Sequence, residues 1–488
     1  MVLISKKLEE HAKNQPYALA IISEIAMLNY KILNHLVWQS ALWLHQNGVQ
    51  ANSRVGLSFN NQMTHMVASL ALLRLGAAQI SLPAGEPEAV REKIVLRTKI
   101  SVIVSDFSEE NFGLQRLLLA LPAMMDSKAP VAYHLCAQDQ DMVAQVVIGS
   151  GTTAVAKAFS VTYQSMTARI HHRLATLPIL PQERYFRVAN VDFFSTKQSN
   201  LACLVAGGTV VLRESKETSI LSICDRLAVD HLALTVVQAQ RLLERGRSVD
   251  QESPRLPRLK TLSVGTSSVT DEIFYRLQKN LCPYLYIRYG TNEFGGATST
   301  PLTYQNRIPG SVGKPEQGVE IEIVDEQDQP CATGTVGIIR MRGPGMFNGY
   351  EDNPGATAKA LRNGWYYPGD VGQFDPQGEL IFRGRADDLI IFEGVNIYPR
   401  EIEEVLEQHP AVLEAAVFPL TIKGSQVPAA AVRVSEQVSE QALLEFCKKH
   451  INWRAPGWIL FMDEFPRNAA GKILKREIRE MLHQKLLD

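Results

Sequence analysis

Residues 146–165, VVIGSGTTAVAKAFSVTYQS, pass from an apolar run into a loop of Gly, Ser and Thr that ends at a lysine. Backbone amides bind phosphate when the chain approaches it closely, which favours glycine, and hydroxyls and a lysine add further donors. The NTPase loop pattern fails here, because Ala156 and Ala158 replace its second glycine and its magnesium-binding Ser or Thr. By itself the stretch fits a phosphate loop or a plain turn between a strand and a helix.

The segments around this loop alternate between short β-rich runs and helical periodicity. Over the first 300 residues the β-rich runs are RVGLSFN, ISVIVSD, AQVVIGS, GGTVVLR, HLALTVV, LKTLSVG and YLYIRYG. This alternation predicts an α/β fold in which parallel sheets are covered by helices. From about residue 310 close-set strands and turns replace the alternation, which predicts a mostly antiparallel, β-barrel-like subdomain.

The pattern of predicted strands and helices changes again at GRADDLIIFEGVNIYPREIEEVLEQHP, residues 384–410. The strand and helix patterns that follow, such as LEAAVFPL and SEQALLEFCKKHI, fit a small α+β domain of about 100 residues. We therefore predict a large N-terminal domain over residues 1–386 and a small C-terminal domain over residues 387–488.

The charge and cysteine content narrow the class of function. Fifty basic and fifty-one acidic side chains give a net charge of -1, so no global field attracts nucleic acid or an anionic membrane. The six cysteines form no CxxC pair, as expected for reduced thiols in the cytoplasm. No run reaches the roughly 18 apolar residues of a membrane-spanning helix. These features favour a cytoplasmic protein that binds a small ligand in a cleft.

Four further motifs occur in a fixed order after the loop. They are YGTNEFGG at 289–296, GWYYPGDVG at 364–372, GRADDLII at 384–391 and FPRNAAGKILKREI at 465–478. With the loop, this ordered set resembles the adenylate-forming superfamily, which groups acyl-CoA synthetases, nonribosomal-peptide adenylation domains and luciferases. The resemblance covers nearly all 488 residues. It implies an AMP-binding core followed by a mobile C-terminal domain.

The resemblance also implies a reaction. A carboxylate attacks the α-phosphorus of ATP to give an acyl-adenylate and pyrophosphate, and a thiol then takes the acyl group. ATP, Mg²⁺ and either CoA or the phosphopantetheine of a carrier protein are the implied cofactors. Such a substitution at phosphorus needs in-line positioning and charge neutralisation more than covalent help from the protein.

The resemblance assigns roles to residues of this chain. Glu293 would hold magnesium, Asn292 stands where the family usually has a Thr that reaches the α-phosphate, and Lys472 would be the catalytic lysine. Asp387 would be the hinge on which the small domain swings. The residues implied to contact the nucleotide are Ser150, Gly151, Thr152, Thr153, Lys157, Tyr289, Gly290, Thr291, Asp370 and Arg385.

The chain also departs from the family pattern. Ala154, Ala156 and Ala158 replace the usual Gly, Pro and Gly of the loop, and Pro368 replaces the usual Thr. A loop with fewer glycines would cover pyrophosphate less closely. A catalytically weak or silent adenylate-binding protein is therefore the alternative from another functional class.

The acid pocket is expected to involve Asp192, Phe193, Phe194, Gly265, Thr266 and Gly295. If Asp192 lines the pocket, its charge favours an aryl or amino acid that brings an amine, ammonium or hydroxyl. The alternatives are that Asp192 is a loop acid, or that Lys197 neutralises it, which would suit a fatty acyl-CoA ligase. A free-standing carrier protein and a homodimer are the further partners left open.

Overall fold

The computed structural model describes residues 3–108, 112–121, 139–149, 157–215, 217–244, 256–265, 269–300, 307–392, 395–422, 425–468 and 471–485. The helices in this part of the chain are α1 (Leu3–Asn14), α2 (Tyr30–Gln46), α3 (Gln62–Leu75), α4 (Glu88–Thr98), α5 (Tyr163–Thr176), α6 (Phe194–Val205), α7 (Ile220–Arg226), α8 (Val236–Glu244), α9 (Asp271–Asn280), α10 (Pro354–Ala360), α11 (Pro399–Leu406), α12 (Glu440–Ile451) and α13 (Lys475–Lys485). Short 3₁₀ turns occur at Ala386–Asp388 and Asn452–Arg454.

The strands of the same part of the chain are β1 (Leu19–Ile22), β2 (Met27–Asn29), β3 (Arg54–Ser58), β4 (Ala78–Ser81), β5 (Val102–Ser105), β6 (Gln115–Leu118), β7 (Val143–Ile148), β8 (Ala158–Thr162), β9 (Arg184–Arg187), β10 (Thr209–Val211), β11 (His231–Thr235), β12 (Thr261–Gly265), β13 (Leu285–Thr291), β14 (Gly295–Ser299), β15 (Lys314–Pro315), β16 (Glu320–Val324), β17 (Gly337–Arg342), β18 (Leu361–Arg362), β19 (Trp365–Tyr366), β20 (Asp370–Phe374), β21 (Leu380–Arg385), β22 (Ile390–Phe392), β23 (Val395–Ile397), β24 (Val412–Ile422), β25 (Ser425–Val434) and β26 (Trp458–Phe461).

Two sheets dominate the large domain. The first has the order β6-β5-β3-β4-β7-β8, and its strands are parallel except β8, which returns antiparallel to β7. The second has the order β15-β14-β13-β12-β11-β9-β10-β1-β2, with a parallel centre and antiparallel edges. The predicted α/β class with parallel sheets is confirmed.

Helix α3 is the central element of the largest core. Asn61 caps its first turn by accepting the Thr64 N–H at 2.8 Å, and Gly76 ends it in the left-handed conformation at φ +76°. Thirteen of its fourteen residues are buried, so the helix turns no face to solvent. Its side chains share one core with Val104 of the first sheet and Val210 of the second.

The third sheet corrects one expectation. Its order is β18-β19-β17-β20-β21, with β16 on the other side of β17, and its neighbouring strands are antiparallel. The antiparallel prediction is therefore right, but the described strands form an open sheet and not a closed barrel. Among the described strands β18 pairs only with β19, so it forms an open edge of the sheet.

The C-terminal part has cores of its own. Strands β24, β25 and β26 form a three-stranded sheet, and β22 pairs with β23 in a hairpin. Two apolar clusters are built only from residues after 389, with Ile402 and Leu443 in one and Phe465 and Ile478 in the other. The predicted boundary at Asp387 falls in the 3₁₀ turn between β21 and β22 and stays a prediction.

Two simpler expectations concern thiols and membranes. Five cysteines fall within the described ranges, and all five are free thiols. No helix in those ranges is both long enough and apolar enough to cross a lipid bilayer.

Candidate active site

Several of the predicted site residues lie at the carboxyl ends of parallel strands, where open α/β sheets bind their ligands. In the first sheet, Gly149 follows the end of β7. In the second sheet, Gly265 ends β12, Thr291 ends β13 and Asp192 lies between the end of β9 and helix α6. The topology therefore brings residues from distant parts of the sequence to one region of the large domain.

The phosphate loop is described only at its two ends. Ser150, Gly151, Thr152 and Thr153 lie outside the described residues, as does Thr266 of the acid pocket, so their roles stay predictions. The ends of the loop are joined, because the Gly149 N–H donates to the Lys157 carbonyl at 2.7 Å. The Lys157 Nζ lies 5.2 Å from the ring centroid of Tyr350.

Glu293 faces this loop. The Tyr350 hydroxyl donates to Glu293 Oε1 at 2.9 Å, and a Cβ placed on Gly149 would lie 3.8 Å from the same oxygen. Burial and the neighbouring carboxylate raise the pKa of Tyr350, so the phenol remains a donor at neutral pH. Glu293, Lys157 and the base of the loop thus form one cluster, with Tyr350 between the two charges.

Arg169 is a positioning residue that we did not predict. Its Nε donates to Gly345 O at 2.7 Å, while Nη1 and Nη2 donate to the carbonyls of Asn292 at 2.8 Å and Glu293 at 2.7 Å. The residue is only 8% exposed, and burial lowers the pKa of its guanidinium to about 10. Helix α5 buries Tyr163, Met166 and Arg169, so the arginine stands on the apolar stripe.

The segment YGTNEFGG forms the hairpin between β13 and β14. Gly290 has to be glycine, because a Cβ there would overlap the carbonyl of Gly295 on the facing strand. Gly295 adopts φ +100°, which a side chain disfavours. The Thr291 Oγ1 accepts the Phe294 N–H at 3.2 Å and stabilises the turn. The hairpin fixes the backbone of Asn292, whose predicted side-chain role stays a prediction.

Tyr289, Asp370 and Arg385, three residues predicted to contact the nucleotide, are joined by hydrogen bonds, and their roles stay predictions. The Tyr289 hydroxyl donates to Asp370 Oδ2 at 2.5 Å, and Arg385 Nη1 donates to Asp370 Oδ1 at 3.1 Å. Burial raises the pKa of Asp370, while the Arg385 guanidinium opposes that rise. The Tyr289 ring lies 5.7 Å from Phe382 between centroids. Each oxygen of the carboxylate can still accept a second hydrogen bond.

Hydrogen bonds join the two described ends of the loop that carries Lys472. Asn468 accepts the Lys472 N–H on its Oδ1 at 3.0 Å, and Gly471 adopts φ +82°. A Cβ on Gly471 would lie 3.6 Å from Val237 Cγ2 in α8, so the small domain rests here against the large one. The positive charge of Lys472 also acts to lower the pKa of Asp370, although burial of that carboxyl dominates.

Asp192, one of the predicted acid-pocket residues, belongs to a buried polar cluster. Asp192 Oδ1 lies 3.6 Å from His65 Nδ1, and the completely buried Lys197 donates to Ser81 Oγ at 3.3 Å. Phe194 packs edge-on to Phe159, with ring centroids 6.3 Å apart. His65 was not predicted, since it comes from α3, more than a hundred residues earlier.

A magnesium ion would have one protein carboxylate here. The described residues contain no group of three or more His, Cys, Asp or Glu side chains able to enclose a metal. Glu293 is nevertheless a hard oxygen donor beside a lysine and the predicted phosphate loop. This donor set fits Mg²⁺, which is usually held by one or two carboxylates together with substrate phosphates.

Comparison with known proteins gives matches over nearly the whole chain. A family model described as AMP-binding enzyme matches residues 8–351, and one described as AMP-binding enzyme C-terminal domain matches residues 401–472. The chain is 29% identical to a long-chain-fatty-acid–CoA ligase of Escherichia coli O157:H7, over 68% of this chain and 60% of that protein. It is 27% identical to a 2-succinylbenzoate–CoA ligase of Bacillus licheniformis, over 96% of this chain and 98% of that protein.

The fold is also that of a solved structure. An O-succinylbenzoate coenzyme A synthetase from Bacillus subtilis in complex with AMP superposes with a TM-score of 0.86 at 24% identity. The superposition covers 97% of each chain. At this identity the likeness shows a shared fold.

Proposed function

Because the chain belongs to the AMP-binding enzyme family, we propose that it is an ATP-dependent acid–thiol ligase. In the first half-reaction, a carboxylate oxygen of the acid attacks the α-phosphorus of ATP and pyrophosphate leaves. In the second, a thiol attacks the carbonyl of the acyl-adenylate and AMP leaves. We take CoA as the thiol, as the names of the relatives suggest, and keep a carrier-protein phosphopantetheine as the alternative.

The observation that carries the proposal is the position of the Lys472 loop. This loop belongs to the small domain, yet Gly471 contacts Val237 of the large domain and the charge of Lys472 acts on Asp370. A lysine whose charge acts on the proposed ribose-binding acid would also attract an α-phosphate attached to that ribose. Adenylation needs a positive charge at that point while negative charge builds in the transition state.

The other residues would each bind a different part of the nucleotide. Asp370 would accept hydrogen bonds from the ribose hydroxyls, with Arg385 holding its carboxylate in place. Tyr289 would present its ring to adenine. Lys157 and the loop before it would bind the terminal phosphates, and Mg²⁺, when bound through Glu293, supplies further neutralisation of phosphate charge.

We propose an aryl acid as the substrate class. One relative in the comparison is named a 2-succinylbenzoate–CoA ligase, and the predicted acid pocket includes the aromatic residues Phe193 and Phe194 beside Asp192. The fatty acyl-CoA ligase alternative also has a relative by name, but Asp192 and Lys197 would face a plain alkyl chain poorly. A homodimer, a carrier-protein partner and a cytoplasmic location stay predictions.

Acid-dependent exchange of pyrophosphate into ATP tests the proposal directly. We expect exchange with at least one member of a panel of aryl, fatty and amino acids. We also expect that the Lys472→Ala variant loses most of it while Lys449→Ala, at an exposed position of α12, does not. No exchange with any acid, under conditions where ATP binds, would instead indicate a silent adenylate-binding protein.

A further inference from the structure

We propose that His65, Ser81, Asp192 and Lys197, here called the buried quartet, form the polar end of the acid pocket. We infer that the quartet selects an acid whose far end carries a neutral hydrogen-bond donor, such as a hydroxyl, over one with an ammonium or a plain alkyl or aryl end. The inference rests on the proposed ligase function and names the substrate class of that site.

The quartet lies where the two large sheets present their carboxyl ends. Ser81 is the last residue of β4 in the first sheet, and Asp192 follows β9 of the second. Lys197, in α6, reaches across to donate to Ser81 Oγ at 3.3 Å. Because ligands of open α/β sheets bind outside the carboxyl ends of strands, this junction is a ligand position on topology alone.

A short chain of contacts joins the quartet to the reaction centre. Phe194 lies two residues after Asp192, and the Arg169 guanidinium carbon stands 5.4 Å from the Phe194 ring centroid. Arg169 in turn donates to the carbonyls of Asn292 and Glu293. One aromatic ring and one guanidinium thus lie between the quartet and the proposed magnesium ligand.

The charges within the quartet cancel at neutral pH. Lys197 is 0% exposed and Asp192 is 10% exposed, and each favours the charged form of the other. His65 is 1% exposed and carries no charge, because burial lowers its pKa well below the ordinary value. Glu86 faces the quartet from the segment before α4 and raises the pKa of Asp192. A substrate ammonium would therefore add an unpaired charge to a buried and already neutral group.

The quartet nevertheless has unused hydrogen-bonding capacity. Asp192 Oδ1 and His65 Nε2 are both buried, and neither has a hydrogen-bond partner among the residues that the structure describes. Buried polar atoms without partners are costly, so a ligand that supplies a donor gains from pairing them. A hydroxyl can donate to the Asp192 oxygen without bringing charge. A plain alkyl or aryl end would leave both atoms unpaired.

Matched acids test this inference. We would measure kcat/KM for pyrophosphate exchange with 3-phenylpropanoate, 3-(4-hydroxyphenyl)propanoate and 3-(4-aminomethylphenyl)propanoate, and with hexanoate, 6-hydroxyhexanoate and 6-aminohexanoate. In at least one series the wild type should prefer the hydroxylated acid by about 10-fold or more over both companions, as one buried hydrogen bond to a charged group allows. Asp192→Asn should reduce that preference several-fold.

The Lys197→Met variant provides the more discriminating test of the inference. Removal of the lysine leaves the Asp192 charge unpaired. The ratio of kcat/KM for the ammonium-bearing acid to kcat/KM for the hydroxylated acid should therefore rise by about 10-fold relative to wild type. Lys449→Ala serves as the control and should leave every ratio unchanged. If Lys197→Met does not fold, Asp192→Asn at the partly exposed position still gives the test.

The possible outcomes separate the two proposals. Equal kcat/KM values for the three acids of both series, or ratios that neither variant changes, would overturn the role of the quartet while leaving the ligase function intact, because exchange itself would be observed. Exchange with none of the six acids or of the wider panel would count against the ligase function, and the inference would fall with it.

Discussion

At the scale of single residues, Arg169 connects the helix after the phosphate loop to the segment that carries Glu293. Its three bonds to carbonyls use the planar geometry of a guanidinium, which an ammonium cannot reproduce. We expect Arg169→Lys to slow adenylation by about 10- to 100-fold, the worth of one or two such bonds. In the same variant the Mg²⁺ concentration for half-maximal exchange should rise, because the Glu293 carbonyl loses its hydrogen bond from Arg169.

The control for Arg169 lies on the same helix. His171 is exposed, and His171→Ala should leave both the rate and the Mg²⁺ requirement unchanged. Thermal unfolding of both variants separates loss of positioning from loss of the fold. A slower Arg169→Lys enzyme with an unaltered Mg²⁺ requirement would show that the arginine supports the fold without positioning Glu293.

Lys472 should matter for only one half-reaction. Its charge is useful while negative charge builds at the α-phosphate, so Lys472→Ala should slow adenylation by roughly 100-fold or more, as for loss of one preorganised donor. Transfer from a supplied acyl-adenylate to CoA should largely persist. Rapid-quench measurement of each half-reaction checks this, and an equal loss of both would contradict the assignment.

The buried pair of Asp192 and Lys197 predicts a pH dependence of stability. Burial lowers the pKa of Lys197 to about 8, and loss of the Asp192 charge would lower it further. In Asp192→Asn, folded protein then releases the Lys197 proton between pH 6 and 9 while unfolded protein keeps it. The free energy of unfolding should therefore rise with pH over that window, and more steeply than in wild type.

Urea unfolding at pH 6, 7, 8 and 9 provides the measurement. At pH 7 the Asp192→Asn variant should be destabilised by about 3 kcal/mol, the usual cost of breaking a buried pair. The double variant Asp192→Asn/Lys197→Met, which leaves no charge behind, should recover part of that loss. A single variant as stable as wild type at every pH would mean that the two charges do not interact.

The sequence alone predicts some of these site residues and misses others. Tyr289, Asp370 and Arg385 could be predicted because each sits in a short motif, and the structure brings the three together. Tyr350 and His65 have no local signal, since their partners Glu293 and Asp192 are far away along the chain. Only the fold creates such contacts.

At the scale of secondary-structure elements, the seven predicted β-rich runs correspond to strands β3, β5, β7, β10, β11, β12 and β13. Each combines β-branched residues with a following turn or helix, so local pattern suffices. Strand β4 was not among the predicted runs, because its four residues, AQIS, include only one β-branched residue. The third sheet was predicted as barrel-like because a run of antiparallel strands does not reveal whether the sheet closes.

The 3₁₀ turn at Ala386–Asp388 is the element that tests the hinge. Proline fixes φ and removes an N–H, so Asp387→Pro should trap one orientation of the small domain and spare one half-reaction much more than the other. Asp387→Ala removes only the bond from Arg385 Nε, at 3.1 Å, and should affect the two half-reactions alike. Wild-type rates for both half-reactions in the proline variant would place the pivot elsewhere.

At the scale of the whole molecule, the proposed mechanism requires the small domain to dock over the carboxyl edges of the large one. Two contacts mark the docked arrangement: Gly471 lies against Val237, and Arg383 Nη1 lies 4.0 Å from Glu404 Oε2. The second pair joins β21 to α11, close to the proposed hinge. The arrangement is the one that the proposed role of Lys472 in the first half-reaction requires.

The most direct test of the central claim follows an oxygen atom. The acid that gives the fastest exchange would be labelled with ¹⁸O in both carboxylate oxygens and turned over with ATP and CoA, and the AMP analysed by mass spectrometry. Attack of the carboxylate on the α-phosphorus transfers one oxygen, so we predict one ¹⁸O in each AMP formed and none in pyrophosphate. Label in inorganic phosphate together with ADP as product, or AMP without label, would contradict the acyl-adenylate mechanism.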